Sequence, residues 1–148
     1  MPFTSKTRRL LVPIRFDSLG TIVRLRRSRR ATYLLDTNTC IAVMRKHPIA
    51  VQRMSAVPPG DCAISTITGN ELETGVEKCS KPAQERAKVD LLLHTVQQIP
   101  FEAGPAKEAA RIRTLLESQG QTIGPYDVLL AGHAMSCSLI LVTSNTRV

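Results

Sequence analysis

Short apolar runs alternate with longer amphipathic segments from Thr32 onward. The run "TYLL" is typical of a buried strand, and "TNTCIAVMRK" behind it has the spacing of a helix that ends near His47 and Pro48. The segment "PIAVQRMSAV" predicts a second, short helix, which "PPG" closes because proline cannot continue it. "CAISTIT" then predicts another buried strand, and a helix follows through "NELETGVEK".

The second half of the chain continues this alternation with longer helices. "KPAQERAKVDLLLHTVQQ" has a proline just inside its first turn, which favours the start of a long helix. After the short "IPF" comes "AGPAKEAARIRTLLESQG", an amphipathic helix that stops at Gly120, a residue suited to a left-handed cap. "GPYDVLLAGHAMSC" predicts one more helix, and "SLILVTSN" predicts the final strand.

This order of elements predicts the fold class. Strands that alternate with helices of this length require crossover connections, so the sequence predicts an α/β fold with a parallel sheet of about four strands. Helices then cover both faces of the sheet, which gives three layers. The expected order is β-α-α-β-α-α-β-α-α-β.

The composition fits one globular domain. The chain has 148 residues, of which 43% are hydrophobic, and no apolar run approaches the roughly 18 residues of a membrane span. We therefore expect a soluble, cytoplasmic protein without membrane association. The four cysteines, Cys40, Cys62, Cys79 and Cys137, are widely spaced, which is typical of reduced thiols. Aromatic residues make up only 3%, which argues against a base-stacking platform.

The net charge of +8 belongs to the leading segment. Residues 1–30 contain nine Lys or Arg and a single acid, Asp17, whereas residues 31–148 carry equal numbers of acidic and basic side chains. We therefore divide the chain into a basic extension, 1–30, and a domain, 31–148. The extension is an arm that binds nucleic-acid backbone nonspecifically, a disordered segment, or an artefact of an upstream start codon.

Polar side chains stand where strands end, which is where ligands bind in open α/β sheets. Asp36 follows "TYLL", Glu71 lies three residues after "CAISTIT", Asp127 follows "IGP", and Thr143 and Asn145 close the last strand. Each has a structural explanation. Asp36 could cap its helix, Thr68 and Glu71 have the spacing of a capping box, Asp127 could face the positive end of a helix dipole, and Asn145 suits a turn.

Taken together, the three carboxylates indicate a cation site, because they would repel one another without a positive charge between them. Oxygen-rich sites suit Mg²⁺ or Mn²⁺, and a metal ion held this way assists phosphodiester hydrolysis. Glycine-rich phosphate loops and the G-x-S-x-G elbow are absent from the sequence. His47 and His94 are isolated, and we interpret His133, six residues after Asp127, as a packed core or interface residue.

Four segments carry a resemblance to a known family: "YLLDTNTCIA", "ISTITGNELETGVEKC", the stretch from "IPFEAG" to "IGPYDVLLAGHA", and "LILVTSNTR". They resemble the PIN domain, and within it the VapC ribonuclease toxins of type II toxin–antitoxin pairs. The resemblance covers about Tyr33 to Arg147 in order. It implies a Mg²⁺-dependent endoribonuclease that cuts RNA, forms a homodimer, and is neutralised by a VapB-like antitoxin.

The resemblance also implies residue roles. Asp36 and Asp127 match the principal metal ligands, and Glu71 matches a further ligand or a water-orienting base. Asn145 matches the polar catalytic position after the last strand, and Thr143 with Asn38 would position the substrate. Attraction of RNA would come from the leading arm or from Arg111 and Arg113, unless "RIR" is simply a solvated helix face.

Two departures from the family pattern keep an alternative open. Such toxins usually begin within a few residues of the first strand, and they continue after "NTR" into an acid–phenylalanine pair that completes the sheet, so we expect a truncated C-terminal strand here. The alternative is a catalytically inactive PIN domain that acts only as an antitoxin-binding or dimerisation module. A third interpretation is a nucleic-acid binder that depends on residues 1–30.

Overall fold

A computed structural model describes residues 31–143. The predicted basic extension, Asn145 and the predicted truncation of the last strand lie outside the described residues. The elements of this part of the chain are, in order, β1 (Tyr33–Leu35), α1 (Thr37–Met44), α2 (Pro48–Ser55), β2 (Cys62–Ser65), α3 (Thr66–Lys78), α4 (Pro82–Thr95), β3 (Gln97–Ile99), α5 (Ala103–Ser118), α6 (Pro125–Ser136) and β4 (Ile140–Val142), with a 3₁₀ turn, Pro59–Asp61, before β2.

The four strands form one parallel sheet in the order β3-β2-β1-β4. The predicted α/β class and the predicted order of strands and helices are confirmed. Strand β1 lies inside the sheet, and its residues Tyr33 to Leu35 pair with Cys62 to Ile64 on one side and with Ile140 to Val142 on the other. The carboxyl ends of β1, β2 and β4 therefore meet at one edge.

Alternate residues of the strands supply the two faces of the sheet. Leu35 and Ile64 face a core that includes Cys40 of α1, Leu72 and Val76 of α3 and Val89 and Leu92 of α4. Leu34 and Ala63 point the other way, onto Ala134 of α6. The structure thus has the three layers that the sequence predicts. Within the described part of the chain, no helix is both long and apolar enough to cross a lipid bilayer.

Two predicted boundaries are wrong. The strand over "CAISTIT" ends at Ser65, because the Ser65 hydroxyl accepts the backbone N–H of Ile67 at 3.1 Å and caps α3 there. Thr68 lies inside the helix, so the proposed Thr68–Glu71 capping box does not form. The helix over "KPAQERAKVDLLLHTVQQ" ends at Thr95, and Gln97–Ile99 forms strand β3, slightly before "IPF".

Other local predictions are confirmed. Pro82 occupies the first turn of α4, and Gly120, with a φ of 66°, has the left-handed conformation expected after α5. All four cysteines are free, although only Cys40 and Cys62 are buried and Cys137 is exposed. Burial raises the pKa of the Cys62 thiol to about 11 and also raises the pKa of Cys40, so both remain protonated at neutral pH.

Candidate active site

Asp36 lies at the carboxyl end of β1 and begins α1. Its carboxylate oxygen Oδ1 accepts the backbone N–H of Thr39 at 2.7 Å, so the predicted helix cap is confirmed. The Asp36 backbone N–H donates to the Val142 carbonyl of β4 at 3.0 Å, which fixes the residue against the neighbouring strand. Only 3% of Asp36 is exposed. A carboxylate this buried is costly unless polar partners or a cation compensate its charge.

Glu71 reaches the same region from the first half of α3. The Thr37 hydroxyl, at the start of α1, donates a hydrogen bond to its carboxylate oxygen Oε2. This bond joins the helix that follows β1 to the helix that follows β2. It also limits where the Glu71 side chain can lie, since one carboxylate oxygen is held by a side chain adjacent to Asp36.

Asp127 enters from the first turn of α6, where Gly124 is the cap residue and Pro125 opens the helix. The Gly124 backbone lies very close to this side chain, because a Cβ atom built at Gly124 would be 2.9 Å from Asp127 Oδ2. Only a residue without a side chain at 124 therefore leaves the carboxylate in this position.

Asp36, Glu71 and Asp127 line one cleft with a volume of about 290 Å³. The other lining residues are Thr37, Asn38, Ile41, Tyr126 and Leu130. Four of the six residues predicted for the site thus face a common space. Thr143 follows β4 at the same sheet edge, directly after the residue that binds the Asp36 backbone, but it does not line the cleft. Asn145 falls outside the described residues.

The cleft offers oxygen ligands to a metal ion, but not a ready-made cage. Across residues 31–143, no three His, Cys, Asp or Glu side chains are grouped closely enough to hold a metal ion by themselves. Mg²⁺ does not need such a group, since it is usually held through one or two carboxylates and keeps several waters. The hydrogen bonds described above use Oδ1 of Asp36 and Oε2 of Glu71, and the second oxygen of each carboxylate remains for a metal ion. The donor set therefore fits a hard divalent cation.

Two residues that shape the site, Thr37 and Ser65, were not predicted from the sequence. Thr37 was noted only as part of "YLLDTNTCIA", although a hydroxyl at the first helical position after an acid is well placed to bind a second acid. Ser65 was assigned to a strand interior, yet its hydroxyl caps α3 and lies 2.9 Å from Nδ1 of His133. His133 is fully buried, as predicted, and its ring meets Phe101 edge to face at 5.4 Å.

Comparisons with known proteins agree with this architecture. The PIN domain family model matches residues 33–148. The chain is 36% identical over 115 residues to the tRNA(fMet)-specific endonuclease VapC of Shigella flexneri, which covers 78% of this chain and 87% of that protein. It is also 36% identical over 117 residues to Ribonuclease VapC2 of Rickettsia felis, with the same two coverages.

Solved structures give the same result. A chain of the VapBC2 complex from Rickettsia felis, bound to a DNA fragment from their promoter, superimposes with a TM-score of 0.71 at 35% identity and covers 77% of this chain and 88% of that one. A chain of DNA-bound VapBC from Salmonella typhimurium gives 0.70 at 32% identity, with coverages of 74% and 83%. On sequence and on structure, this chain belongs to the PIN domain family.

Proposed function

We propose that this protein is a Mg²⁺-dependent endoribonuclease toxin that a VapB-like antitoxin neutralises. The observation that carries the proposal is that Asp36, Glu71 and Asp127 all line one cleft at the carboxyl edge of the sheet. The proposal is also supported by two relatives at 36% identity, which are named as an endonuclease and a ribonuclease, and by the VapBC complexes among the similar structures. An enzyme of this kind acts where RNA is, in the cytoplasm.

Asp36 and Asp127 would hold the metal ion, and Glu71 would either add a third ligand or orient the attacking water. The bound ion would neutralise charge on the scissile phosphate and lower the pKa of water. Mn²⁺ has the same preference for oxygen ligands and should substitute. Asp36 could serve as a metal ligand in a fixed position, because hydrogen bonds to Val142 and Thr39 already hold its backbone and one carboxylate oxygen.

The chain's own residues then order the substrate. Glu71, held by the Thr37 hydroxyl, keeps one oxygen for a proton of the attacking water. Asn38 is exposed at the rim of the cleft and can donate its amide N–H to a phosphate oxygen. Thr143 and Asn145, which follow β4 in the sequence, would help to position the phosphate.

The test is an RNA-cleavage assay with the purified protein in Mg²⁺, in Mn²⁺ and in EDTA, together with the Asp36→Asn variant. Cleavage should require either metal and should be abolished by the substitution, which keeps the size and the cap of the helix but removes the charge. Cleavage that continues unchanged in EDTA or in Asp36→Asn would overturn the mechanism.

Expression in a bacterial host gives an independent readout of the toxin role. The active protein should arrest growth, and co-expression of its antitoxin should restore it. A stably folded protein that neither arrests growth nor cuts RNA, but still binds the antitoxin, would instead support the inactive binding module.

A further inference from the structure

A second concave site lies beside the cleft, where the end of α5 and the connection to α6 meet the first turns of α6. It has a volume of about 180 Å³. Leu116, Ile123, Pro125 and Val128 form an apolar wall, and Arg113 and Gln121 add polar groups. We call this site the α5–α6 groove. It is smaller than the roughly 300 Å³ at which pockets for free small molecules begin, so it suits one part of a longer chain.

Helix α6 separates the groove from the cleft. Pro125 and Val128 line the groove, whereas Tyr126, Asp127 and Leu130 line the cleft. Because residues three apart share a face of a helix, the two sets occupy different sides of the same first turns. An RNA chain that leaves the cleft and passes over the start of α6 would therefore reach the groove next.

Arg113 differs from its neighbour Arg111 in what it faces. Arg111 is 75% exposed at its side chain and pairs with Glu108 at 3.3 Å on the same helix. Arg113 lines the groove, and within residues 31–143 it forms no ion pair with any carboxylate. Its guanidinium can therefore bind an anion without first breaking an ion pair with a carboxylate of the described residues.

We propose that the α5–α6 groove is a nucleotide subsite of the cleft, in which Arg113 contacts an RNA phosphate outside the scissile bond and the apolar wall receives the adjoining ribose or base. The groove combines a cation for a phosphate with apolar surface for a sugar or a base, side by side with the acidic cleft. This inference rests on the proposed ribonuclease function. It also separates the two arginines of "RIR", because only one of them belongs to the groove.

Glu117 is the feature of the groove that opposes an anion. It lies on the same helix as Arg113, one turn later, and lines the same groove. Its charge should repel a phosphate bound to Arg113, so the subsite binds RNA with modest strength and the Glu117→Gln variant should bind more tightly.

The first experiment compares Arg113→Gln with Arg111→Gln, which removes the same charge two residues away. Arg113→Gln should raise KM for a single-stranded oligoribonucleotide roughly three- to tenfold with kcat unchanged, because the contact is equal in the ground and transition states. The variant should also bind RNA with a weaker salt dependence. The slope of the logarithm of the binding constant against the logarithm of the salt concentration should become less steep by about 0.7, because one phosphate contact is lost. Arg111→Gln should change neither quantity, and Glu117→Gln should lower KM.

Substrate length supplies a second readout. Arg113→Gln should behave like wild type on a dinucleotide that only spans the scissile bond, and its defect should grow as the oligonucleotide is lengthened. Equal effects of Arg111→Gln and Arg113→Gln, or a defect that does not depend on length, would overturn the subsite.

Binding measured by fluorescence anisotropy in EDTA separates this inference from the proposed function. If the wild-type protein cuts RNA but both arginine variants bind a labelled oligonucleotide alike, the subsite is wrong and the function stands. If Arg113→Gln alone weakens binding but no protein cuts RNA in Mg²⁺, the groove binds RNA and the proposed activity is wrong.

Discussion

Nδ1 of His133 lies 2.9 Å from the hydroxyl oxygen of Ser65, and both residues are fully buried. Ser65 ends β2 and caps α3, which carries Glu71, whereas His133 belongs to α6, which carries Asp127. One buried hydrogen bond thus joins the two helices that supply the second and third acids of the cleft.

Replacing Ser65 by Ala should destabilise the protein. The change removes the cap of α3, worth about 1 kcal/mol, and leaves a buried imidazole nitrogen unpaired, at a cost of about 1 to 3 kcal/mol. We expect the free energy of unfolding in urea to fall by about 2 to 4 kcal/mol. The control is Ser118→Ala, whose exposed hydroxyl bonds only a carbonyl of its own helix. Equal losses in the two variants would contradict this account.

The stability of the protein should fall in mildly acidic solution because of His133. Burial lowers the pKa of His133 below its ordinary value. The unfolded chain therefore binds a proton at higher pH than the folded one. The neutral imidazole of His133 contributes fully to the free energy of unfolding above about pH 6.5, and this contribution is lost as the pH falls through the folded pKa. Urea unfolding at about pH 7.5 and about pH 5.5 measures the change. His133→Gln should show a smaller pH dependence than wild type, and an identical one would refute the prediction.

Thr37 should influence cleavage through Glu71. Thr37→Val keeps the shape of the side chain but removes the hydroxyl that donates to the carboxylate. A hydrogen bond to a charged group is worth about 1.5 to 3 kcal/mol, so the cleavage rate should fall at least about tenfold. Thr37→Ser should recover most of the rate. Thr74→Val, on the exposed side of α3, removes a hydroxyl that bonds only its own helix and should leave the rate unchanged.

The sequence predicted the elements whose signals are local. Asp36 is a strong cap at the end of an apolar run, and Gly120 suits the left-handed end of α5, so neither needs information from the rest of the chain. The start of α3 is different. Ser65, Thr66 and Thr68 can all cap a helix, and the choice of Ser65 depends on His133, 68 residues further along the chain.

Strand β3 was misplaced for a related reason. Gln97 and Gln98 are exposed and polar, so they show neither an apolar run nor an alternating pattern. They form a strand because the edge of β2 is available for pairing, with Gln98 opposite Ile64. Tertiary pairing outweighs the helical propensity that continues from α4.

Gly132 should be intolerant of any side chain. A Cβ atom there would lie 2.4 Å from the backbone N of Ala109 on α5, and backbone atoms cannot move aside without separating the two helices. Gly132→Ala should therefore cost about 1 to 3 kcal/mol of unfolding free energy, despite the better helix propensity of Ala. Gly75→Ala is the matched control, since a Cβ atom there meets nothing within 4 Å. That variant should gain about 0.5 to 1 kcal/mol, and effects of the same sign at both positions would contradict the close packing of α5 and α6.

Gly124 should control activity without controlling stability. Its φ of −55° and ψ of 146° are open to Ala, so Gly124→Ala introduces no backbone strain. The new Cβ atom would nevertheless lie 2.9 Å from Asp127 Oδ2, which forces that carboxylate to rotate away from its place in the cleft. We expect the urea midpoint to stay near that of wild type while cleavage falls about tenfold or more, since displacing a reacting group by about 1 Å costs orders of magnitude in rate. Gly60→Ala, at an open surface position, should leave both properties unchanged. Full activity in a stably folded Gly124→Ala would mean that the position of Asp127 does not limit the reaction.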